Sequence, residues 1–425
     1  MGVISPERET QTMAAIPQPE PGLTAEALIA RAAAMRPLLL EQQDANDWRG
    51  HYSDEIHQAF EAAGFYRILQ PRALGGYQLP PAVFLKVVME IARGHPGAAW
   101  CFTLAASHAY LVASHWPAQA QAELFAPDGQ FRAAHVVGPY GTLTPAPGGY
   151  IADGVYPFCS GIPVSTHLIG GGMAPQPDGS MRHVFFVVPR KDLTILPDWG
   201  EDRFMGMQAS GSNSVKLDQV FVPDRMFVGA EMMTSSEPYP DGTHGTRLYG
   251  DPQYLAVLMG WFHCEFGAIM TGAARAALDE FEEIARSKPM FTDPTVKRIE
   301  DPFTQNLFAI AMGKADSAEA LTLAAIELYG EQQRRWARDG TPIRPVDSMK
   351  VWGMAREACR MANDATESLF HAVGAGAGRR GQRLQRYFRD IEMYRLHIQS
   401  QPTLPTVRGR LEFGLPTMML GGVKA

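Results

Sequence analysis

The sequence predicts an α+β multidomain chain in three parts: an N-terminal helical domain, a small antiparallel barrel or sandwich, and a C-terminal four-helix bundle. Three observations carry this. The texture of the chain changes at about residue 129, from helical periodicity to short β-favouring runs parted by glycine and proline, and changes back near Tyr254. Beyond that point, residues 253–288, 303–341 and 346–401 contain no proline, and the cluster Gly374-Ala375-Gly376-Ala377-Gly378 splits the third run, leaving four helix-length segments. The 425 residues also exceed what one ordinary core accommodates.

In chain order, Met1 to Gly22 carries Pro6, Pro17, Pro19 and Pro21, lacks a continuous apolar stretch, and reads as a flexible tail. The helical domain is expected over 23–128. Leu23-Thr24-Ala25-Glu26 opens its first helix, Ser53 caps a second before Asp54-Glu55-Ile56, and Gly75-Gly76-Tyr77 with Pro80-Pro81 makes a loop before further apolar-periodic segments. The β domain is expected over 129–235, with strands at Gly149–Ile151, His183–Val188, Ser214–Leu217 and Val220–Val222. The bundle is expected over 236–400, followed by a C-terminal tail over 401–425.

Composition excludes several classes of function. Hydrophobic residues make up 46% and charged residues 20%, as in an ordinary enzyme, and the net charge of −7 provides no basic field for nucleic acid or an anionic membrane. No run of eighteen apolar residues occurs, so no segment is expected to span a bilayer. Cys101, Cys159, Cys264 and Cys359 are widely separated singletons, which suits a reducing cytoplasm better than a disulfide framework.

The chemistry-bearing residues fall in a few places. On a helix, Arg386, Asp390, Met393 and His397 project within roughly 40° of one another, a face able to bind an anionic group and move a proton. The 374–378 glycines follow a helix and stand in no βαβ unit, so they read as a helix–helix turn whose backbone amides can touch a cofactor, not as a dinucleotide fingerprint. His108 and His115 share a helical face but stand roughly 10.5 Å apart, too far for one ion, and no metal-binding motif occurs. Pro157-Phe158-Cys159-Ser160-Gly161 and Gln208-Ala209-Ser210-Gly211-Ser212-Asn213 expose hydroxyls and amides at turns, suited to the edge of a polar heteroaromatic ring.

In this order and spacing, Leu74-Gly75-Gly76-Tyr77, His95-Pro96-Gly97-Ala98-Ala99-Trp100, Phe158-Cys159-Ser160-Gly161, Ser210-Gly211-Ser212-Asn213, Val220-Phe221-Val222-Pro223 and Arg386-Tyr387-Phe388-Arg389-Asp390 resemble the acyl-CoA dehydrogenase fold. Within that fold, the chain is similar to two-component flavin-dependent monooxygenases of the 4-hydroxyphenylacetate 3-hydroxylase oxygenase type. The resemblance implies that the middle domain is an antiparallel β-barrel, that the assembly is a homotetramer, and that flavin lies between barrel and bundle with part of its site supplied by a neighbouring subunit. It implies reduced flavin (FMNH2 or FADH2) delivered by a separate flavin reductase, O2 as co-substrate, a flavin C4a-hydroperoxide, and a small phenolic or indolic substrate.

Residue by residue, the resemblance implies that Ser160 faces flavin N5, His108 lines the substrate side, and His397 takes a proton from a phenolic substrate at a pKa near 6.5. Phe158, Gly161, Ser210, Gly211, Ser212, Arg286, Gly374 and Gly376 join Ser160 as cofactor-binding residues. Arg389 and Asp390 are expected to form an internal ion pair, and Trp100, Tyr110, Phe204 and Trp261 are candidates for an aromatic lining. Departures are Val155-Tyr156, where relatives carry tryptophan, and Gln208, where they carry arginine. The alternatives are an acyl-CoA dehydrogenase with a displaced base, a nitrogen- or sulfur-oxygenating monooxygenase, and a flavin-free scaffold. The dehydrogenase base is missing, because the place after the Arg-Asp helix reads His397-Ile398-Gln399-Ser400, and Glu265 is expected as a surface or interface carboxylate.

Overall fold

The computed structural model describes residues 15–415 and 417; residues 1–14 of the expected tail lie outside them. The first part comprises α1 Ala25–Ala34, α2 Arg36–Glu41, α3 Gln43–Arg49, α4 Asp54–Ala62, α5 Pro81–Gly94, α6 Pro96–Ala106, α7 His108–His115 and α8 Ala118–Phe125. Thr24 and Ser53 cap α1 and α4, accepting from the Ala27 and Ile56 amides. Ile16 is anchored, its amide donating to the Ala73 carbonyl at 3.0 Å. Helix α6 is apolar all round, and all of its residues are buried, so it forms the axis on which the other parts rest.

The middle part consists of β1 Ala133–Pro139, β2 Thr142–Ala146, β3 Gly149–Tyr156, β4 His167–Pro175, β5 Met181–Pro189, β6 Thr194–Ile195, β7 Val215–Pro223 and β8 Phe227–Gly229. They form two four-stranded sheets, ordered β1-β4-β5-β8 and β2-β3-β7-β6. The pairing is antiparallel except for β1 and β4, which run parallel and correct the expectation of a wholly antiparallel layer. The two runs expected at 214–217 and 220–222 are one strand. Gln219 at φ 51° forms an irregularity between them, and its backbone and side-chain amides are held by Asp153.

The last part begins with α9 His244–Tyr249 and continues with α10 Leu258–Ser287, α11 Pro302–Asp339, α12 Pro345–Val373 and α13 Arg383–Arg395. Pro302 and Pro345 open their helices at the first position, where the missing N–H costs nothing, and Gly340 ends α11 at φ +73°. Helix α10 approaches α5 so closely that a Cβ on Gly272 would lie 2.4 Å from the Ala92 Cβ. The expected C-terminal tail is corrected by α14 Thr403–Glu412, whose Leu404 and Val407 pack with Met259, Met349 and Trp352. Its apolar spacing is short, and its partners lie far away in sequence. Among the described residues, no helix is long and apolar enough to cross a membrane.

Candidate flavin and substrate site

After β3, Phe158 at φ 55° and Gly161 at φ 82° reverse the chain. The turn is joined to residues 208–213 by backbone bonds: the Cys159 amide donates to Asn213 and the Gly161 amide to Ser210 and Gly211, each at 3.0 Å. Ser160 Oγ lies 2.7 Å from Ser212 Oγ, which lies 2.6 Å from Ser210 Oγ. A Cβ on Gly161 would meet the Cys101 carbonyl of α6 at 2.7 Å, so only glycine lets the serine cluster settle on that helix.

Beside the serines, Phe158 remains 59% exposed and meets the edge of Trp199, whose indole stacks on Phe204 at 3.8 Å. Phe204 therefore belongs with Trp199, a residue that motif reasoning missed. The three mutually bonded hydroxyls keep further donor and acceptor capacity, and an open aromatic ring lies next to them. This donor set fits the polar edge and flat face of an isoalloxazine.

The 205–207 segment is held by α13. The Met207 amide donates to Asp390 Oδ1 at 2.6 Å, Arg389 Nη1 donates to the Met205 carbonyl at 2.6 Å, and a Cβ on Gly206 would stand 2.1 Å from the Arg389 carbonyl. Arg389 and Asp390 are thus not an ion pair; each secures the loop. Arg386 is buried and donates to Asp47 at 2.8 Å, to Gln43 at 2.7 Å and to Asp44. These contacts replace the expected anion-binding role with a clamp between α13 and α3. Burial and the neighbouring Asp47 hold the Asp390 carboxyl above the usual range. Substituting Arg386→Met leaves Asp47 buried without its cation and is expected to cost roughly 3 kcal/mol in urea unfolding. An unchanged midpoint contradicts the clamp.

His397 lies beyond the end of α13, in a turn where its amide donates to the Tyr394 carbonyl at 2.8 Å. It is half-buried, with its ring centroid 5.6 Å from Trp100 and 5.1 Å from Phe266, while Trp100 and Phe266 stack on one another at 4.6 Å. Burial holds its pKa down to about 4, correcting the expected value near 6.5.

His108 is buried, and its Nδ1–H donates to the Ala133 carbonyl at 2.7 Å, which fixes Nε2 as the acceptor. Among the described residues Nε2 has no hydrogen-bond partner, and burial lowers the pKa to about 4. Its ring tilts against Phe262 at 6.4 Å and meets His135 edge-on at 5.1 Å. Phe262 packs on Phe266 at 5.0 Å, so His108 and His397 flank one aromatic face of α10.

Glu265, on the same helix, is 0% exposed, correcting the expected surface carboxylate. Burial raises its pKa well above normal; the Ser107 hydroxyl is nearby, but among the described residues neither carboxyl oxygen has a hydrogen bond of ordinary geometry. The other candidates lie elsewhere. Tyr110 and Trp261 pack together at 5.4 Å in the helical core, and His115 donates from Nε2 to the Ala256 carbonyl. Arg286 is exposed and pairs with Glu282 at 2.7 Å, while Gly374 and Gly376 sit in an exposed turn after α12 with nothing near a built Cβ. Within one chain, these three show no contact with the serine cluster.

Comparison with known proteins agrees with this architecture. Residues 264–402 match the family described as acyl-CoA dehydrogenase, C-terminal domain. The flavin-dependent monooxygenase, oxygenase subunit HsaA, of Rhodococcus jostii (strain RHA1) is 27% identical, over 91% of this chain and 98% of its own. The p-hydroxyphenylacetate 3-hydroxylase, oxygenase component, of Acinetobacter baumannii is 25% identical, over 94% of this chain and 92% of its own. The crystal structure of 3-HSA hydroxylase from Rhodococcus sp. RHA1 superposes with a TM-score of 0.82 at 25% identity, covering 92% of this chain and 98% of that chain. The chain carries an acyl-CoA dehydrogenase-like C-terminal domain, and over nearly its whole length it is similar to the oxygenase components of flavin-dependent monooxygenases.

Proposed function

We propose that the chain is the oxygenase component of a two-component flavin-dependent monooxygenase, hydroxylating a small phenolic or indolic substrate with reduced flavin received from a separate reductase. One observation carries this reading: His108 and His397, imidazoles that burial holds neutral, flank an aromatic face of α10, while burial pushes the Glu265 carboxyl on the same helix well above its ordinary range. A dehydrogenase requires a carboxylate able to reach the proton beside a thioester carbonyl, and Glu265 is instead enclosed among the helices. The names of the relatives, which include a p-hydroxyphenylacetate hydroxylase, support an aromatic substrate.

Reduced flavin, as FMNH2 or FADH2, supplies when bound the electrons that activate O2. Ser160, with Ser210 and Ser212, holds the polar edge of the ring, and Phe158, Gly161 and Gly211 shape its bed. Trp100, Phe262 and Phe266 exclude water and receive the substrate ring. His397 accepts a hydrogen bond from the substrate hydroxyl and takes the proton as the ring is attacked. His108 Nε2 orients the other side.

Exposed Phe291 and Phe303, 94% and 84% accessible, together with Arg286, Gly374 and Gly376 on open surface, support a homotetramer in which these residues serve a neighbour's flavin. On the same reading, residues 23–128, 129–235 and 236–400 are the three domains, the two sheets close as a barrel, and the protein works in the cytoplasm. The test mixes chemically reduced FMN or FAD with the protein, labelled dioxygen and a panel of phenols and indoles. Labelled hydroxylated product is expected. Bleaching of oxidised flavin by an acyl-CoA, with no oxygenated product, reverses the assignment.

A further inference from the structure

A cavity of about 520 Å³ opens where α4, the turn after Gly161 and the end of β5 meet, and none of its lining residues belongs to the serine cluster. Arg132, Arg190 and Lys191 line it, with Asp54 as the one carboxylate, so three cations face one anion. His51, His57 and His167 complete the wall.

Arg132 is the informative member. It is only 9% exposed, yet among the described residues neither it nor Arg190 has a carboxylate partner. Arg132 instead donates from Nε to the Val164 carbonyl at 2.9 Å and from Nη1 to Gln130 at 2.7 Å, and lies over the Tyr66 ring at 5.0 Å. Arg190 donates from Nη1 to the Ile162 carbonyl at 2.8 Å. Each guanidinium therefore keeps N–H groups uncommitted beside the cavity; Arg190 is exposed, but Arg132 is buried, and a buried cation is ordinarily paired. Their field reaches the wall: Arg132 disfavours protonation of His57 and His167, adding to the effect of burial.

We propose that this cavity is an anion site for a phosphate group, free or carried on a small molecule. The charge excess matches a dianion, and paired guanidinium groups with a lysine suit phosphate oxygens. Because Arg132 and Arg190 also hold the Val164 and Ile162 carbonyls, an occupant would tie the two arginines and the turn following Ser160 into one unit.

The inference does not depend on the oxygenase assignment and is tested by binding alone. Full-length protein is titrated calorimetrically with inorganic phosphate and, separately, with AMP, each up to about 10 mM. Binding of both identifies free phosphate as sufficient, whereas binding of AMP alone identifies a phosphate borne on a larger molecule. In either case, Arg190→Gln/Lys191→Gln weakens binding at least about tenfold, while Lys350→Gln, an exposed lysine outside the cavity, leaves it unchanged. Lys191→Gln alone, at an exposed position that does not threaten folding, weakens it about threefold. No binding of either probe, or binding that both Arg190→Gln/Lys191→Gln and Lys191→Gln leave intact, overturns the site.

Discussion

Replacing His397 by alanine is expected to lower product formation on the order of 10²–10⁴-fold while dioxygen uptake continues and emerges as hydrogen peroxide. The expectation follows from position and protonation together. The imidazole stands against Trp100 and Phe266, at the edge of the face that would receive the substrate ring, and burial keeps it neutral down to about pH 4. A neutral ring can accept a hydrogen bond from a phenol throughout the physiological range. Such a weak base does not deprotonate the phenol in the ground state, so the proton moves only as the aromatic ring gives up electron density. Two readouts separate this role from a packing role. The ratio of product to dioxygen consumed should collapse in His397→Ala while flavin affinity and thermal midpoint hold. In the unmodified protein the same ratio should be flat between about pH 6 and pH 8, with no inflection near 6.5. Unchanged coupling in the variant removes His397 from the reaction.

What the sequence makes legible here is mostly local. The Thr24 and Ser53 caps, the proline starts of α11 and α12, and the Ser160 and Ser210–Ser212 turns all depend on residues within a few positions of one another. The misses share a different cause. Strand β4 contains Gly170-Gly171-Gly172, which favours a loop by composition. In the fold these glycines make room, since a Cβ on Gly170 would lie 2.7 Å from the Phe186 ring and one on Gly172 2.8 Å from Leu143. Arg386, Asp390 and Met393 share α13 as expected, whereas His397 lies past its end, and periodicity names the residues that share a face and not what the face meets. The Arg386 partner Asp47 lies 339 positions away. Glu265 misled for the same reason: a charged residue in an apolar run suggests surface, and only the packing of α10 against α6 and α7 shows it to be interior.

Acid is expected to destabilise the protein well before ordinary carboxylates titrate, and two substitutions should move that sensitivity in opposite directions. His95, His108 and His115 are buried with pKa values held to about 4, and burial holds His135 well below its ordinary value too. His95 stands 3.5 Å from Asp47, but burial outweighs the carboxylate and the ring stays neutral. Between about pH 6.5 and pH 4 the unfolded chain takes up protons that these folded imidazoles refuse. Their contribution is therefore complete above 6.5 and is lost as pH falls, by about 2 kcal/mol each between pH 7 and pH 5.

The buried carboxyls act with the opposite sign. Glu265 and Asp390 keep their protons in the fold to higher pH than in the unfolded chain, so their contribution grows as pH falls and offsets part of the loss. Four buried histidines against two buried carboxyls leave a net loss on acidification of a few kcal/mol, and the lowered values of His51, His57, His167, His183 and His397 add to it in the same direction. Against a total stability of roughly 5–15 kcal/mol this is a large fraction. Urea midpoints at pH 7 and pH 5 measure it. His115→Gln keeps a donor for the Ala256 carbonyl while removing the titration, and should shrink the difference by about 2 kcal/mol. Glu265→Gln removes an offsetting carboxyl and should widen it. If both variants shift the difference the same way, the buried imidazoles are not what makes the fold sensitive to acid.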